Sequence, residues 1–398
     1  MKRLSIDDID LSGKRVLVRV DFNVPLDENC NITDDTRIRA SLPTIKKIIS
    51  EGGRAVLMSH LGRPKGKVNP KMSLKPCAVR LSELLEQEVK MAPDCIGEEI
   101  ENMVAQLKDD ECILLENLRF HGEETDNDKD FSKKLSLLGD VYINDAFGTA
   151  HRAHASTAGV CEFIEKRAAG YLMEKELKFL AGVLESPERP FVAIMGGAKI
   201  SGKIDLIMKF LDKVDSLLIG GGMAMTFFKA KGIEIGDSLC EHDKLNLAGD
   251  ILKKAEEKNK DFVLPIDSVI ADAFKDDANK KEVDVINIPQ KWMMLDIGKN
   301  TIRLFSEKIA QAKTILWNGP MGVFEMDSFS LGTQMIAEEI AKATERGAVS
   351  VVGGGDSVAA LKKFNLTDKM LHVSTGGGAS LELLEGKILP GIKALEIE

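Results

Sequence analysis

The chain lacks an excess of positive charge. Its 54 Lys and Arg face 63 Asp and Glu, a formal charge of -9 at pH 7. A general nucleic-acid binder would present a net basic face, so that class is excluded. Any anion site must therefore be a local concentration of cations. Cysteine is sparse and scattered, at Cys30, Cys77, Cys95, Cys112, Cys161 and Cys240. No C-x-x-C pair occurs and no cysteine clusters with histidine, so neither a zinc site nor a disulfide framework is expected. Reduced thiols of a cytoplasmic protein are the simpler reading. No run approaches ~18 apolar residues, so no membrane span is expected. Met1 to Asp10 is charged and has no apolar signal core. Low-complexity tracts and short-period repeats are absent too.

What is present is enough apolar material for full cores. The 398 residues are 44% hydrophobic, and at roughly 100–200 residues per domain two to four domains are expected. One pattern recurs: an aliphatic run, a polar or glycine cluster, then a helical period. The runs are Val16–Val20, Ala55–Met58, Ile113–Leu115, Val141–Ile143, Phe191–Met195, Leu217–Ile219, Ile315–Trp317 and Val349–Val352. Continuous rather than alternating apolar residues suit strands buried on both faces of a parallel sheet. Strands alternating with helices predict a doubly wound α/β fold, with ligands beyond the carboxyl ends of strands. A domain break is expected after Arg167. Tyr171–Leu184 has Leu172, Leu177, Leu180 and Leu184 at helical spacing and reads as an interdomain helix. Ser186-Pro187-Glu188-Arg189-Pro190 then resets the chain.

The strand ends of the two halves carry different chemistry. In the first half Arg37, His60, Arg63, Arg119, His151, Arg152 and His154 fall at or just past strand ends or in adjacent loops. Arginine forks grip carboxylate and phosphate in a bidentate manner. Several of them beyond one sheet edge would hold a small molecule with more than one negative group, whereas any one alone reads better as a surface charge. Asp21 and Asn23 could accept from a substrate hydroxyl, although Asp21 also fits an Asx-turn or a helix cap.

In the second half Gly197–Ile204 nearly spells a P-loop but ends on Ile204, which has no hydroxyl for Mg²⁺. Lys199 and Lys203, four apart, would share a helix face if the helix has begun. Glycine triplets follow at Gly220–Gly222, Gly353–Gly355 and Gly376–Gly378. Glycine lets backbone approach a phosphate closely, and a helix start adds a favourable dipole. Asp356 could act as a cap or hold Mg²⁺. Glu325 could bind ribose hydroxyls or be an ordinary exposed glutamate.

Val18-Arg19-Val20-Asp21-Phe22-Asn23-Val24-Pro25, Ser59-His60-Leu61-Gly62-Arg63-Pro64, Leu115–His121 and Asn144–His154 together resemble the phosphoglycerate kinase family. The second half adds Gly196-Gly197-Ala198-Lys199, Trp317-Asn318-Gly319-Pro320, Gly353-Gly354-Gly355-Asp356 and Ser374–Ser380 to that resemblance. It implies two Rossmann-like, doubly wound parallel-sheet domains facing a cleft. Residues 1–170 would form the 3-phosphoglycerate domain, 171–188 the interdomain helix and 189–387 the nucleotide domain, with 388–398 returning to the first. It further implies reversible phosphoryl transfer between 1,3-bisphosphoglycerate and Mg·ADP, giving 3-phosphoglycerate and Mg·ATP, by a cytoplasmic monomer. Asp21, Phe22, Asn23, Arg37, His60, Leu61, Gly62, Arg63, Arg119 and Arg152 would hold the acid. Lys203, Gly222, Leu295, Asn318, Pro320, Glu325, Gly353, Gly354, Gly355, Asp356 and Ser357 would hold the nucleotide, with Asp356 on Mg²⁺. Arg37 and Lys199, aided by Gly376, Gly377 and Gly378, would stabilise the group in flight.

Two positions depart from the family pattern: Gly202 precedes Lys203 where Asp is usual, and Met294 precedes Leu295 where Gly is frequent. A carboxylate nucleophile is already ionised and needs no general base, so catalysis would rest on positioning, charge and hinge closure. A nicotinamide dehydrogenase would need G-x-G-x-x-G after the first strand, which instead ends in Asp21-Phe22-Asn23. A non-catalytic nucleotide sensor of the same fold is the other alternative.

Overall fold

The aliphatic runs form strands whose ends shift by a residue or so. Arg15–Arg19, Arg54–Met58, Cys112–Leu114, Val141–Asn144 and Thr314–Asn318 are representative. Residues 16–19 and 55–58 are buried in unbroken succession, the pattern of strands covered on both faces. The computed structural model describes residues 2–397. They divide into two compact units, one running to Lys178 and resuming at Ile388, the other spanning Phe179–Lys387. The division falls within the helix Tyr171–Glu185.

The first unit holds an eight-stranded sheet. Arg15–Arg19 lies between Val141–Asn144 and Arg54–Met58, all three parallel. Cys112–Leu114 and Val89–Met91 continue past Arg54–Met58 on one side. Arg167–Ala169 and Lys2–Ser5 continue on the other, and Glu396–Ile397 closes that edge antiparallel. The helix Thr36–Ser50 covers one face, burying Ile38, Ile45 and Ile48 at helical spacing. Asp145, just past its strand, accepts from the amides of Leu172 (2.9 Å) and Met173 (3.4 Å) at the start of Tyr171–Glu185. Gly170 makes room for this, since a Cβ there would sit 2.3 Å from the Asp145 carboxylate. Burial pushes the Asp145 carboxyl up to about 7.

The second unit holds six parallel strands. In chain order they are Phe191–Met195, Ser216–Ile219, Asp261–Val263, Thr314–Asn318, Val349–Gly353 and His372–Val373. Their order across the sheet is third, second, first, fourth, fifth, sixth. The order reverses between Phe191–Met195 and Thr314–Asn318, and a crevice for ligands opens beyond the carboxyl ends at such a switch. Phe191, Phe210 and Trp317 are fully buried around this sheet, each contributing about 1.5–3 kcal/mol of burial. A separate antiparallel sheet sets Asp267–Ala271 between Lys280–Asp284 and Met293–Ile297. Nothing in the parallel pattern of the sequence announced it.

Candidate functional site

In the first unit, four arginines gather around one histidine. His60 follows Arg54–Met58 and is 4% exposed. Burial, then the charges of Arg19, Arg119, Arg37 and Arg152, hold its imidazole well below the usual range. Arg119 follows Cys112–Leu114 in a 3-10 turn and donates to the Gly62 carbonyl at 2.9 Å. Burial and the neighbouring Arg19 and Arg152 lower it to about 10. Arg37 sits in the first turn of Thr36–Ser50 and donates to Asp21 Oδ2 at 2.9 Å. Asp21 Oδ1 accepts the Asn23 amide at 3.2 Å, so Asp21 makes the Asx-turn and an ion pair together. Arg152 is half-buried, with Nε 3.1 Å from His151 Nε2. Such a set suits a ligand with several negative groups. Arg63 is exposed and is not among the charges acting on His60.

The loop after His60 is built from outside. The Leu61 amide donates to Asn117 Oδ1 at 3.2 Å and Asn117 Nδ2 returns to the Leu61 carbonyl at 2.7 Å. Gly62 donates to Asn23 Oδ1 at 2.9 Å and adopts φ +65°. Phe22 is fully buried and donates its amide to Ser59 Oγ at 2.9 Å. A larger cavity of about 1130 Å³ in the same unit is lined by Asp34, Asp35, Glu83 and Glu116 against Lys75 and Arg80, a poor match for an anion.

In the second unit, the crevice at the strand-order switch is a cavity of about 310 Å³. Gly197, Gly222, Leu295, Pro320, Glu325 and Asp356 line it. The two strand ends lock together through backbone. Gly196 donates to the Asn318 carbonyl at 3.0 Å and Gly197 to that of Pro320 at 2.8 Å. A Cβ on Gly196 would lie 2.0 Å from the Pro320 oxygen, so the approach requires glycine. Trp317 Nε1 donates to the Gly319 carbonyl at 2.8 Å and Asn318 Nδ2 to Gly353 at 2.9 Å. Ser357 Oγ accepts the Gly319 amide at 2.6 Å, so its hydroxyl already shapes the loop.

Lys203 corrects one expectation. The helix begins at Ile204, with Lys203 as its cap and Lys199 in the irregular stretch ahead of the preceding turn, so the two do not share a helix face. Lys203 folds back instead, donating Nζ to the carbonyls of Gly196 (2.6 Å) and Asn318 (3.1 Å). Burial lowers its amine to about 8, and Asp356 pulls the other way. Lys199 is exposed. Gly354, at φ +93°, caps Gly355–Lys363, placing exposed Asp356 in the first turn. Gly376 donates to Ser374 Oγ at 3.2 Å, and Gly377, at φ +51°, caps Gly378–Leu384.

Leu295, expected at the nucleotide's site, and Arg19, not expected at the acid's, owe their places to the tertiary structure. Leu295 has no register partner, because Val269 pairs with Asp296 and Ile270 with Met294. The bulge turns Leu295 to the cavity wall. Met294 lines the same wall and gives its amide to Ser238 Oγ at 2.9 Å, so that amide serves the fold. Arg19, fully buried beside His60, had one signal: a lone charge inside an aliphatic strand must be paired.

The separation of cysteine from histidine is also corrected. Cys95, Asp94 and His121 bring their polar atoms within 4.8 Å of one another. Asp94 Oδ1 already accepts from His121 Nε2 and from the Cys95 amide, each at 2.7 Å. Burial pushes the Cys95 thiol well up, away from the thiolate a metal needs. The cluster is a hydrogen-bonded one.

A family model described as phosphoglycerate kinase matches residues 6–387. The phosphoglycerate kinase of Chloroherpeton thalassium is 57% identical over 395 residues, 99% of each chain. Phosphoglycerate kinase 3, cytosolic, of Arabidopsis thaliana is 57% identical over 392 residues, 98% of each. The solved phosphoglycerate kinase of Coxiella burnetii superposes with a TM-score of 0.91 at 45% identity, covering 99% of both chains. That of Pyrococcus horikoshii gives 0.85 at 33%, covering 99% of this chain and 98% of the other.

Proposed function

The chain belongs to the phosphoglycerate kinase family and is a phosphotransferase, and we infer from this how its two half-sites share the reaction. The arginine cluster holds 3-phosphoglycerate or 1,3-bisphosphoglycerate, and the glycine-lined crevice holds ADP or ATP. The observation carrying this reading is the convergence of Arg19, Arg37, Arg119 and Arg152 on a neutral His60 in an otherwise acidic protein. Asp21, Asn23 and the His60–Arg63 loop complete the acid's half-site. Lys203, Gly222, Leu295, Asn318, Pro320, Glu325 and Gly353 to Ser357 form the nucleotide's half-site. Mg²⁺ arrives with the nucleotide as substrate. Asp356 fits it, since its exposed carboxylate lines the crevice and offers the oxygen ligand Mg²⁺ prefers.

The acceptor carboxylate is ionised at neutral pH and needs no base. What the chain must supply is alignment and positive charge on the moving group. Arg37 supplies it from the acid's side and Lys199 from the nucleotide's, with the Gly376–Gly378 amides in support. Transfer requires both substrates to meet, so closure of one unit on the other belongs to the cycle. The helix Tyr171–Glu185 is the hinge we propose. We also read the enzyme as a cytosolic monomer. Its six free cysteines fit a reducing compartment, and no helix among the described residues is long and apolar enough to cross a membrane. Sedimentation velocity tests the monomer. A coupled assay with 3-phosphoglycerate and Mg·ATP tests the reaction, and absence of turnover there would overturn it.

A further inference from the structure

We propose that Arg19 is a positioning residue that fixes His60 in one tautomer, with Nδ1 bare and the proton on Nε2. The proposal rests on the reading of His60 as a ligand of the phosphorylated acid.

Arg19 ends the strand Arg15–Arg19 and is fully buried. Its Nε donates to Ser156 Oγ at 2.8 Å and its Nη1 to the Val20 carbonyl. Its Nη2 lies 3.1 Å from His60 Nδ1. A guanidinium has only N–H donors, accepts nothing and stays charged in proteins. His60 Nδ1 must therefore accept, and an accepting ring nitrogen carries no proton. The neutral ring then keeps its proton on Nε2. Among the described residues Nε2 has no protein partner, and it is not fully occluded. It is the donor left for an anionic ligand.

The guanidinium is itself held from behind. Ser156 Oγ takes the Arg19 bond and donates its own proton to Glu124 Oε1 at 2.7 Å. The Ser156 amide donates to Glu124 Oε2 at 2.9 Å. Glu124 is fully buried; burial raises its carboxyl, and the charge of Arg19 draws it back down. Donation diverges at Arg19, which gives one N–H to His60 Nδ1 and another to Ser156 Oγ, and Ser156 passes its own proton on to Glu124. Protonating His60 would turn an N–H of the ring against an N–H of Arg19. It would also add a cation among Arg19, Arg37, Arg119 and Arg152. The nearby carboxylates, Asp21 and Glu124, are engaged with Arg37 and with Ser156. His60 thus works as a neutral donor of fixed direction. An Arg19 that only balanced Glu124 would leave the ring free to choose either tautomer.

Long-range ¹H–¹⁵N NMR of the ¹⁵N-labelled, unmodified protein reads the tautomer directly. The chain has six histidines, and loss of one signal set in His60→Gln assigns the ring. The expected spectrum has Nδ1 bare and Nε2 protonated, unchanged from about pH 5.5 to 8.5. Added 3-phosphoglycerate should move Nε2 and leave Nδ1 in place. A proton on Nδ1, or imidazolium-like shifts on both nitrogens, overturns the proposal. The double variant Arg19→Met with Glu124→Gln removes the lock without orphaning a charge. There His60 should show mixed tautomers and titrate, and the 3-phosphoglycerate Kd should rise about tenfold with the ADP Kd unchanged. A single fixed Nε2–H tautomer in that variant also overturns it. If the variant does not fold, the spectrum of the unmodified protein decides. Failure of 3-phosphoglycerate to bind the unmodified protein in calorimetry would count against the assigned ligand, separately from the tautomer.

Discussion

Replacing Asn117 by alanine should damage the acid's half-site without touching the nucleotide's. Asn117 is 1% exposed and makes four hydrogen bonds to backbone. Oδ1 accepts from the amides of Leu61 (3.2 Å) and Arg119 (3.1 Å). Nδ2 donates to the carbonyls of Leu61 (2.7 Å) and Met72 (2.8 Å). Truncation leaves those backbone groups short of a partner inside the protein. At a net of about 0.5–1.5 kcal/mol each, four bonds come to roughly 2–6 kcal/mol, with partial relaxation favouring the lower half. The loop His60–Arg63 and the turn carrying Arg119 would both loosen, so the KM for 3-phosphoglycerate should rise while that for ATP holds. Asn117→Asp keeps the two accepted bonds but sets a carboxylate oxygen against two carbonyls, so it should cost at least as much. Urea unfolding followed by far-UV circular dichroism measures the stability change. Both tryptophans, Trp292 and Trp317, lie in the second unit, so tryptophan fluorescence is an internal control whose midpoint should move less. A loss under about 1 kcal/mol with an unchanged KM would refute the reasoning.

Three further outcomes are expected. Arg37→Ala and Lys199→Ala should each lower kcat by about a hundredfold or more, on the precedent of preorganised charge at a transition state, with ADP affinity by calorimetry little changed; equal losses in both would remove that residue from the transfer step. Gly221→Ala should weaken nucleotide binding and destabilise the second unit by more than the ~1–2 kcal/mol of a left-handed residue, because Gly221 has φ +67° and a Cβ would lie 2.6 Å from Gly197 N and O; a thermal midpoint and ADP Kd matching the unmodified protein would contradict this. His121, whose imidazole is raised by its hydrogen bond to Asp94, should contribute stability that is fully present below its unfolded value of about 6.5 and lost as pH rises through the folded one. Asp94→Asn should therefore flatten the fall in stability across that window, and an unchanged slope in urea titrations at several pH values would sink the assignment.

Much of the site was legible in sequence because each of its loops is a local object. His60-Leu61-Gly62-Arg63 and Asn318-Gly319-Pro320 each follow one buried strand, and their chemistry can be read without knowing the neighbours. Lys203 shows the limit. Its sequence position suggested a helix-borne phosphate ligand beside Lys199, but helix start and side-chain path depend on carbonyls 7 and 115 residues away. Cys95 and His121 are distant by spacing and adjacent in space for the same reason. Leu295 reaches the cavity only through a bulge set by the register of an antiparallel sheet that the α/β pattern did not reveal.

The sequence by itself determined the central parallel strands, because a parallel strand covered on both faces must be apolar throughout, and it determined the residue types at their ends. It also carried the expectation that one half suits an acid and the other a nucleotide, since arginine forks and glycine turns bind by local chemistry. Tertiary structure alone decided which of those residues meet. Arg19 finds His60 across 41 positions and Asn117 finds Leu61 across 56. Such pairs depend on strand order in the sheet, which brings Arg15–Arg19 beside Arg54–Met58 and that strand beside Cys112–Leu114. Hydrogen bonds act over about 3 Å, so a contact that fixes a proton on one ring nitrogen exists only once the sheet has assembled.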